Sequence, residues 1–519
     1  MKKISIIPKP TSIEIKPDQL SLKKIKGIMI IENSKELINI ANVFRKFLSP
    51  ISNLEILPWD KNSNKYLKII IEKKTKIKKG EYSLIIDAET GITLQASTEE
   101  GLYYGFQTFR QLAPIELEKK QNNDGIIIQN CSIKDSPKFQ YRGMHLDVSR
   151  HFFNVDFIKT YIDMIALHKM NFFHWHLTDD NGWRIEIEQY PELSKKSAYR
   201  VDRENQPWRD WDPILPEEKP TYGGFYSKKE IKEIVEYASE RHITIIPEIE
   251  MPAHTSAVFA AYPEYSCKGE TLNVVPGSYW PTIDIFCAGS DSVFSFLENI
   301  LTEIIELFPG KYIHIGGDEA DKTYWKKCAR CQKRIKEENL KSEEELQSYF
   351  IKRIEKFIVR KNKKLVGWDE ILEGGLAPSA TVMSWRGISG GVEAAKAGHN
   401  VIMCPTTHCY FDYYQTKKNQ SKEPAFDGYI PLEKVYSFNP IPKELSNEES
   451  KYILGGQGNL WTEFVKTPER AQHMVLPRMT ALSEVLWTGS DTNAYEDFYK
   501  RLQYLKERYK ILNWNHAPI

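Results

Sequence analysis

The sequence predicts an α/β protein. A (β/α)8 TIM barrel occupies residues 137–519 and a small α/β domain occupies residues 1–136. Three observations carry this. From Tyr141 onward, eight short β-type runs alternate with helical or loop segments, the pattern of a parallel sheet and of eight barrel units. No run is followed by G-x-G-x-x-G, so a doubly wound dinucleotide fold lacks its fingerprint. Polar and aromatic residues also gather just after the runs, where a barrel builds its active site.

The elements follow in order. In the first domain, Gly27–Ile31, Tyr66–Ile71, Tyr82–Ile86, Ile92–Ala96 and Ile126–Ile128 read as strands. Helical patterns span Glu36–Leu48 and Thr98–Leu112, the second capped by Thr98 and carrying Leu102, Phe106 and Phe109 at helical spacing. No catalytic constellation falls here, so packing or interaction is the expected role. The barrel strands are Gly143–Asp147, Phe172–Leu177, Thr244–Glu248, Tyr312–Ile315, Leu365–Trp368, Thr381–Trp385, Asn400–Met403 and Tyr452–Gly456. Helices are expected at Asp156–His168, at Lys228–Arg241 with a Ser227/Glu230 capping box, at Asp291–Phe308, and from Ser342 to about Arg360. Thr467-Pro468 is expected to open one long final helix, with Pro at its favoured first position.

Bulk properties narrow the function. The 519 residues carry a formal net charge of +1, which leaves no electrostatic footprint for nucleic acid. The 12 Trp and 27 Tyr include flat faces suited to sugar rings, though most belong in a core. Seven Cys in a chain of this length are no disulfide framework. Cys328-Ala329-Arg330-Cys331 is a lone CxxC; Cys267, Cys287, Cys404 and Cys409 supply no obvious second pair, so it reads as structural or incidental. After Met1-Lys2-Lys3 the apolar run Ile4–Ile7 is too short for a signal peptide, and no stretch approaches membrane-span length. The expectation is a soluble chain, cytoplasmic as it stands and periplasmic or secreted if a leader has been removed.

The most informative stretch is His314-Ile315-Gly316-Gly317-Asp318-Glu319. A buried strand ends in a glycine turn that presents two adjacent carboxylates. Acids placed ahead of a helix would explain many Asp-Glu pairs. The flanking His and double Gly favour a pair that shifts each other's pKa values, one staying protonated and one charged. The other strand ends add Asp147 and Arg150-His151; His174, His176, Asp179 and Asp180; Glu248, Glu250 and His254; Trp368, Asp369 and Glu370; Trp385-Arg386; Tyr410 and Asp412; and Trp461 and Glu463. Each has a plainer explanation alone. The histidines and tryptophans fit a core, Asp147 could pair with Arg150, and Arg386 and Glu370 could be rim ion pairs. Their joint placement is what points to a site. His174-x-His176 puts two imidazoles on one side of a strand and suggests a metal in the barrel mouth. The fifth and sixth strand ends offer Trp where further His ligands would be needed.

These residues resemble the family 20 glycoside hydrolases, the β-N-acetylhexosaminidases. The resemblance rests on His314–Glu319, on Arg142-Gly143 and Leu146–Phe152, on Asn171–Asp180, on Pro247–His254 and on Leu460–Glu463. The matches run in order from about Pro137 to the C-terminus, and the first 136 residues look like the domain that precedes the barrel in that family. The resemblance implies a retaining, substrate-assisted mechanism, an exception to the two-carboxylate scheme, with no cofactor and no metal. Glu319 would be the general acid and base. Asp318 would orient the substrate's 2-acetamido group, whose carbonyl oxygen is the nucleophile. Tyr410 would donate to that oxygen. Trp368, Trp385 and Trp461 would wall the pocket, and Arg150, Asp412 and Glu463 would hold sugar hydroxyls. Asp179, His254 and His176 would position or tune the Asp318–Glu319 pair. The partners implied are oligosaccharides or glycoconjugates with terminal β-linked GlcNAc or GalNAc; a homodimer is left open. Cys267 and Cys287 lie in a loop where some relatives carry a disulfide; in a reducing cytosol they would stay thiols. A disaccharide-releasing lacto-N-biosidase and a non-catalytic sugar binder are the alternatives. Trp208, Trp211 and Trp280 are candidate platforms for a second sugar, or simple loop packing.

Overall fold

In a computed structural model that describes residues 5–72, 79–119, 126–278, 284–421, 423–489 and 494–518, the eight apolar runs pair in parallel and in sequence order. They are Tyr141–Asp147, Phe172–His176, Thr244–Glu248, Tyr312–His314, Lys364–Trp368, Thr381–Ser384, Val401–Met403 and Ile453–Gly458, and they form a closed barrel. Closure comes where the last strand pairs with the first, Gly455 opposite Tyr141. Parallel strands covered on both faces read as continuous apolar runs, and all seven residues of Tyr141–Asp147 are buried. The intervening helices carry the expected caps. Asn154 Oδ1 accepts from Phe157 N at 3.0 Å. Ser227 and Glu230 form the reciprocal capping box, at 3.3 and 2.8 Å. Among the described residues no helix is long and apolar enough to cross a membrane.

The expected long final helix is three. Pro468–Val475, Arg478–Thr488 and Tyr495–Ile511 are separate. Pro477 lacks the N–H that a continuous helix needs and biases the preceding residue away from helical angles. Leu476 accordingly takes φ −97° and ψ 133°.

The N-terminal domain is a seven-stranded mixed sheet. Its order is Ser12–Ser21, Ile127–Asp135, Tyr82–Asp87, Gly91–Ala96, Tyr66–Ile71, Ile28–Ile30, Ile56–Pro58. Helices Lys35–Leu48 and Glu99–Leu112 pack together through Phe44, whose ring lies 5.0 Å from Phe106 and 5.2 Å from Phe109. The two end strands of the sheet are absent from the sequence reading. Ser12–Ser21 contains Pro17, which argues against a strand, but it lies at an edge and its register slips between Ile15 and Gln19, where Pro is tolerated.

One buried carboxylate joins the domains. Asp135, at the end of the sheet, accepts from Tyr82 Oη (2.7 Å), Lys169 Nζ (3.1 Å) and Trp487 Nε1 (2.8 Å). Lys169 precedes the second barrel strand and Trp487 belongs to a late helix. The ammonium is fully buried, and burial pulls its pKa down against the pull of Asp135. Removing the carboxylate would leave an uncompensated buried charge. Asp135→Ala is therefore expected to lower the unfolding free energy by about 3–5 kcal/mol in urea denaturation, and a loss under about 1 kcal/mol would show that this contact does not hold the domains.

Candidate active site

The barrel register aligns the polar strand ends: Asp147 lies opposite His176, His176 opposite Glu248, and Glu248 opposite His314. Glu248 is fully buried at the centre of this layer. His176 Nδ1 lies 2.5 Å and His174 Nε2 3.0 Å from one of its oxygens. His314 Nδ1, at 2.9 Å, and Trp368 Nε1, which donates at 2.8 Å, serve the other. Burial alone would raise the pKa of Glu248, but His314, His176 and His174 outweigh it and hold the carboxyl well below its usual range. His174 and His176 differ. Burial pushes His174 down to about 4. His176 also loses hydration, yet Glu248 and Asp179 raise it to about 10. Both His176 nitrogens face carboxylates, the second at 2.8 Å from Asp179 Oδ2, so this ring has no lone pair for a metal in the barrel mouth.

From Asp179 the charge pattern climbs to the surface. Burial opposes its ionisation, but Arg150, His254 and His176 hold its pKa far below the ordinary value. Arg150 Nη2 is 2.9 Å from Asp179 and Nη1 is 3.3 Å from Asp147. Asp147 also accepts from Thr462 N (3.1 Å) and Oγ1 (3.0 Å), which fixes the turn that carries Trp461 and Glu463. His254 Nδ1 is 3.3 Å from Asp179; its Nε2 is 3.5 Å from Asp318 and 3.2 Å from Glu319. Burial works against the imidazolium, yet Asp179 and Asp318 keep His254 protonated well above its usual pKa.

The turn Gly316–Glu319 has a steric reason for each glycine. Gly316 (φ +67°) would place a Cβ 1.7 Å from Glu250 Oε2, and Gly317 (φ +92°) would place one 2.6 Å from Ile371. Glu319 itself has φ +48° and His254 φ +52°, conformations costly for residues with side chains. Asp318 is pushed up to about 7, by burial first and then by Glu319 and Glu248, with His254 opposing. Glu250, underneath, is raised well above 4.5 by burial and by Asp318. Glu370 is raised to about 8 by burial and Asp318, and it accepts from Trp385 Nε1 at 2.9 Å.

These groups floor and wall a cavity of about 590 Å³. Its lining includes Arg150, Asp179, His254, Asp318, Glu319, Trp368, Trp385, Tyr410, Asp412, Trp461 and Glu463. Of the residues given a role by the family resemblance, His176 alone is not in this lining; His174, Glu248, Glu250 and His314 also lie outside it. Trp385 and Tyr410 stack with ring centres 5.9 Å apart and planes at 22°. Asp318, Asp412 and Glu463 each keep one buried carboxylate oxygen without a protein partner. Burial and Glu463 raise Asp412; Glu463 is pushed up to about 7 by burial, with Arg150 opposing. Buried polar atoms without partners are uncommon, and three around one cavity mark where a polar ligand would bond.

Other expectations are corrected or sharpened. Arg386 pairs chiefly with Asp369, at 2.6 Å against 3.6 Å for Glu370. His151 bonds Glu204 at 2.9 Å. Trp208 lines the cavity, whereas Trp211 packs in its loop and donates to Ser278 O at 3.2 Å; Trp280 lies outside the described residues. Asp180, expected at the barrel rim, lines the cavity, and so do Asn181, Arg209, Tyr413 and Phe426, which were not foreseen in that role. Asn181 at least adjoins a recognised strand end, whereas Arg209 comes from a loop and Phe426 from the short strand Phe426–Tyr429, neither marked by a sequence pattern. Cys267 and Cys287, which supplied no obvious partner for the CxxC in sequence, lie against it in space.

Comparison with known proteins places these features in context. Residues 139–490 match the model of the glycosyl hydrolase family 20 catalytic domain, and residues 3–136 match domain 2 of the same family. A β-hexosaminidase of Porphyromonas gingivalis is 42% identical over all of this chain, which spans 65% of that relative's length. A β-hexosaminidase of Vibrio furnissii is 32% identical over 94% of this chain and 77% of its own. Among solved structures, an exo-β-N-acetylglucosaminidase from Vibrio harveyi in complex with N-acetylglucosamine superposes with a TM-score of 0.85, 28% identity and coverage of 99% of this chain and 78% of its own. A β-N-acetylhexosaminidase from Bacteroides fragilis gives 0.83, 30% identity and coverage of 99% and 97%.

The cation beside Asp318 opposes the upward push of burial. His254→Asn should therefore move the Asp318 titration, near pH 7 in the parent, to higher pH. Carboxyl-band difference infrared spectroscopy against an Asp318→Asn background would read it; an unmoved titration would mean that His254 is not the charge that sets it.

Proposed function

The chain belongs to glycosyl hydrolase family 20, and from that premise we propose that it is an exo-acting β-N-acetylhexosaminidase that releases terminal β-linked GlcNAc or GalNAc with retention, using the substrate's own acetamido group as nucleophile. The observation that carries the proposal is the cavity itself. Three unsatisfied carboxylate oxygens, an arginine fork and three tryptophans line one cavity with the adjacent Asp318–Glu319 pair.

Each group then has a task. Arg150, fixed by Asp147 and Asp179, points its remaining donors at sugar hydroxyls, as a rigid planar fork does well. Asp412 and Glu463 accept from hydroxyls at the far end, which supports attack from chain ends. Trp368, Trp385 and Trp461 enclose the ring. Tyr410 donates its hydroxyl to the acetamide oxygen, and Asp318 accepts the acetamide N–H. That bond favours ionised Asp318 and leaves the shared proton to Glu319. Glu319 delivers it to the glycosidic oxygen as the acetamide oxygen closes on the anomeric carbon. The resulting oxazolinium carries positive charge beside the Asp318 carboxylate. Glu319, now a carboxylate, takes a proton from the water that opens the ring, and the β-configuration is restored.

Two variants test these roles. Glu319→Gln should lower kcat on aryl β-GlcNAc by about 10²–10⁴-fold, the usual scale of general acid–base help, while sugar binding stays measurable by calorimetry; a near-parent rate would remove Glu319 from its role. Asp318→Asn should cut turnover of β-GlcNAc and β-GalNAc substrates severely, with a thiazoline mimic of the oxazoline binding the parent tightly. Parent activity on a plain β-glucoside, or release of the α-anomer seen by proton NMR, would rule out acetamide assistance. A faster rate on a lacto-N-bioside than on aryl β-GlcNAc would favour the disaccharide-releasing alternative.

A further inference from the structure

The CxxC at Cys328 and Cys331 looks like half a metal site in sequence, and the fold supplies the other half. An isolated antiparallel bridge pairs Ser266 with Phe286, which brings Cys267 and Cys287, the next residue on each side, together. Trp325 Nε1 donates to Phe286 O (2.9 Å) and Arg330 Nη2 to Ser266 O (2.9 Å), docking the CxxC segment onto that bridge. Gly289 lies so close to the Arg330 backbone that a Cβ would come within 2.2 Å of it. The sulfur of Cys267 is 3.8 Å from that of Cys331, and that of Cys287 is 3.8 Å from Cys328 and 3.7 Å from Cys331. All four sulfurs fall within 4.8 Å of one another. Four thiolates around zinc at about 2.3 Å form a tetrahedron with edges of about 3.8 Å. Direct disulfides would instead need sulfurs about 2 Å apart.

We propose that Cys267, Cys287, Cys328 and Cys331 form a structural tetrathiolate zinc site. Four protein ligands close the coordination sphere, so the ion has no open position for catalysis. Binding expels the thiol protons and leaves a net negative centre. Cys328 caps and Cys331 enters the first turn of the helix Ala329–Glu337, whose positive end suits thiolates, and Arg330 stands beside them. The knot ties two loops that build the sugar cavity. One follows the third barrel strand and supplies Val275, Gly277 and Ser278 to the wall, where Asn181 holds the carbonyls of Val275 and Gly277 at 2.9 and 3.0 Å. The other follows the Asp318–Glu319 turn.

The test uses the full chain, produced in zinc-supplemented medium and purified under a phosphine reductant without chelator. Plasma mass spectrometry should find one zinc per chain, and cobalt exchanged for it should show sulfur-to-cobalt charge-transfer absorption. The Cys328→Ser/Cys331→Ser variant should lose the metal and fall by about 5 °C or more in Tm. Because that variant could misfold, the parent chain carries a second measurement: a mercurial titrated into it should release the zinc to a colorimetric dye as four thiols are consumed. Substoichiometric zinc in the parent, zinc retained by the double variant, or release that does not track these thiols would overturn the proposal. So would disulfides among the four in peptide maps of the unreduced chain.

Discussion

The active-site end of the barrel depends on one buried carboxylate, Glu248. Strand register places it between His176 and His314, and His174, one layer down, reaches the same oxygen as His176. An ionised carboxylate in a barrel core costs several kcal/mol unless its lone pairs are filled. Here His176 Nδ1 and the Trp368 indole bond to it, and the His174 and His314 rings stand within 3.0 Å. The arrangement fixes Trp368 as a cavity wall from below and keeps His176 cationic, which in turn anchors Asp179. The polar core therefore acts as the base on which the pocket's geometry is set.

From that base the charges alternate upward: Glu248, His176, Asp179, then Arg150 and His254, then the Asp318–Glu319 pair. Each charge is held by an opposite neighbour, so none is buried alone. Two carboxyls in which burial outweighs the nearby cations behave differently. Glu250 and Glu370 are pushed upward in pKa by burial and by Asp318, which favours their neutral forms and limits the negative charge packed around the reacting groups. Low-dielectric surroundings make such an alternating set strong when complete and costly when broken. Backbone strain is present in the same place. Glu319 and His254 both adopt left-handed backbone conformations, each costing on the order of 1–3 kcal/mol, and both meet in one ion pair. The surrounding network is what can hold two such residues at once.

How much of this was legible in sequence follows from the range of each interaction. The barrel strands could be read because a parallel strand buried on both faces leaves an unbroken apolar run, whatever it later pairs with. Asp318 and Glu319 could be read because the glycines that make their turn are adjacent to them. Glu248 could be placed at a strand end but not given a role, since its partners come from strands separated by long helical segments. The Pro17 strand was missed because local chemistry argues against it and only its edge position permits it. The break at Pro477 was missed for the opposite reason: the helical pattern on either side is good, and one missing N–H interrupts it. The four cysteines were the hardest, because two of them are brought near the CxxC only by a bridge between Ser266 and Phe286.

The same contrast explains how the cavity is built. Its walls are loops, which rarely carry enough apolar area to hold themselves in place. Here carboxylates at the strand ends grip the backbone of neighbouring loops. Asp147 takes the Thr462 N–H, Asp180 takes the Ser256 N–H at 3.0 Å, and Asp369 takes those of Trp385 and Arg386 at 3.2 and 3.3 Å. These acids look catalytic by position, yet their lone pairs are spent on structure. Among the acids that line the cavity, those that keep an unsatisfied buried oxygen are Asp318, Asp412 and Glu463. Hydrogen-bond satisfaction thus separates scaffold acids from free ones among those that line the cavity, and Asp318 of the glycine turn is one of the free ones.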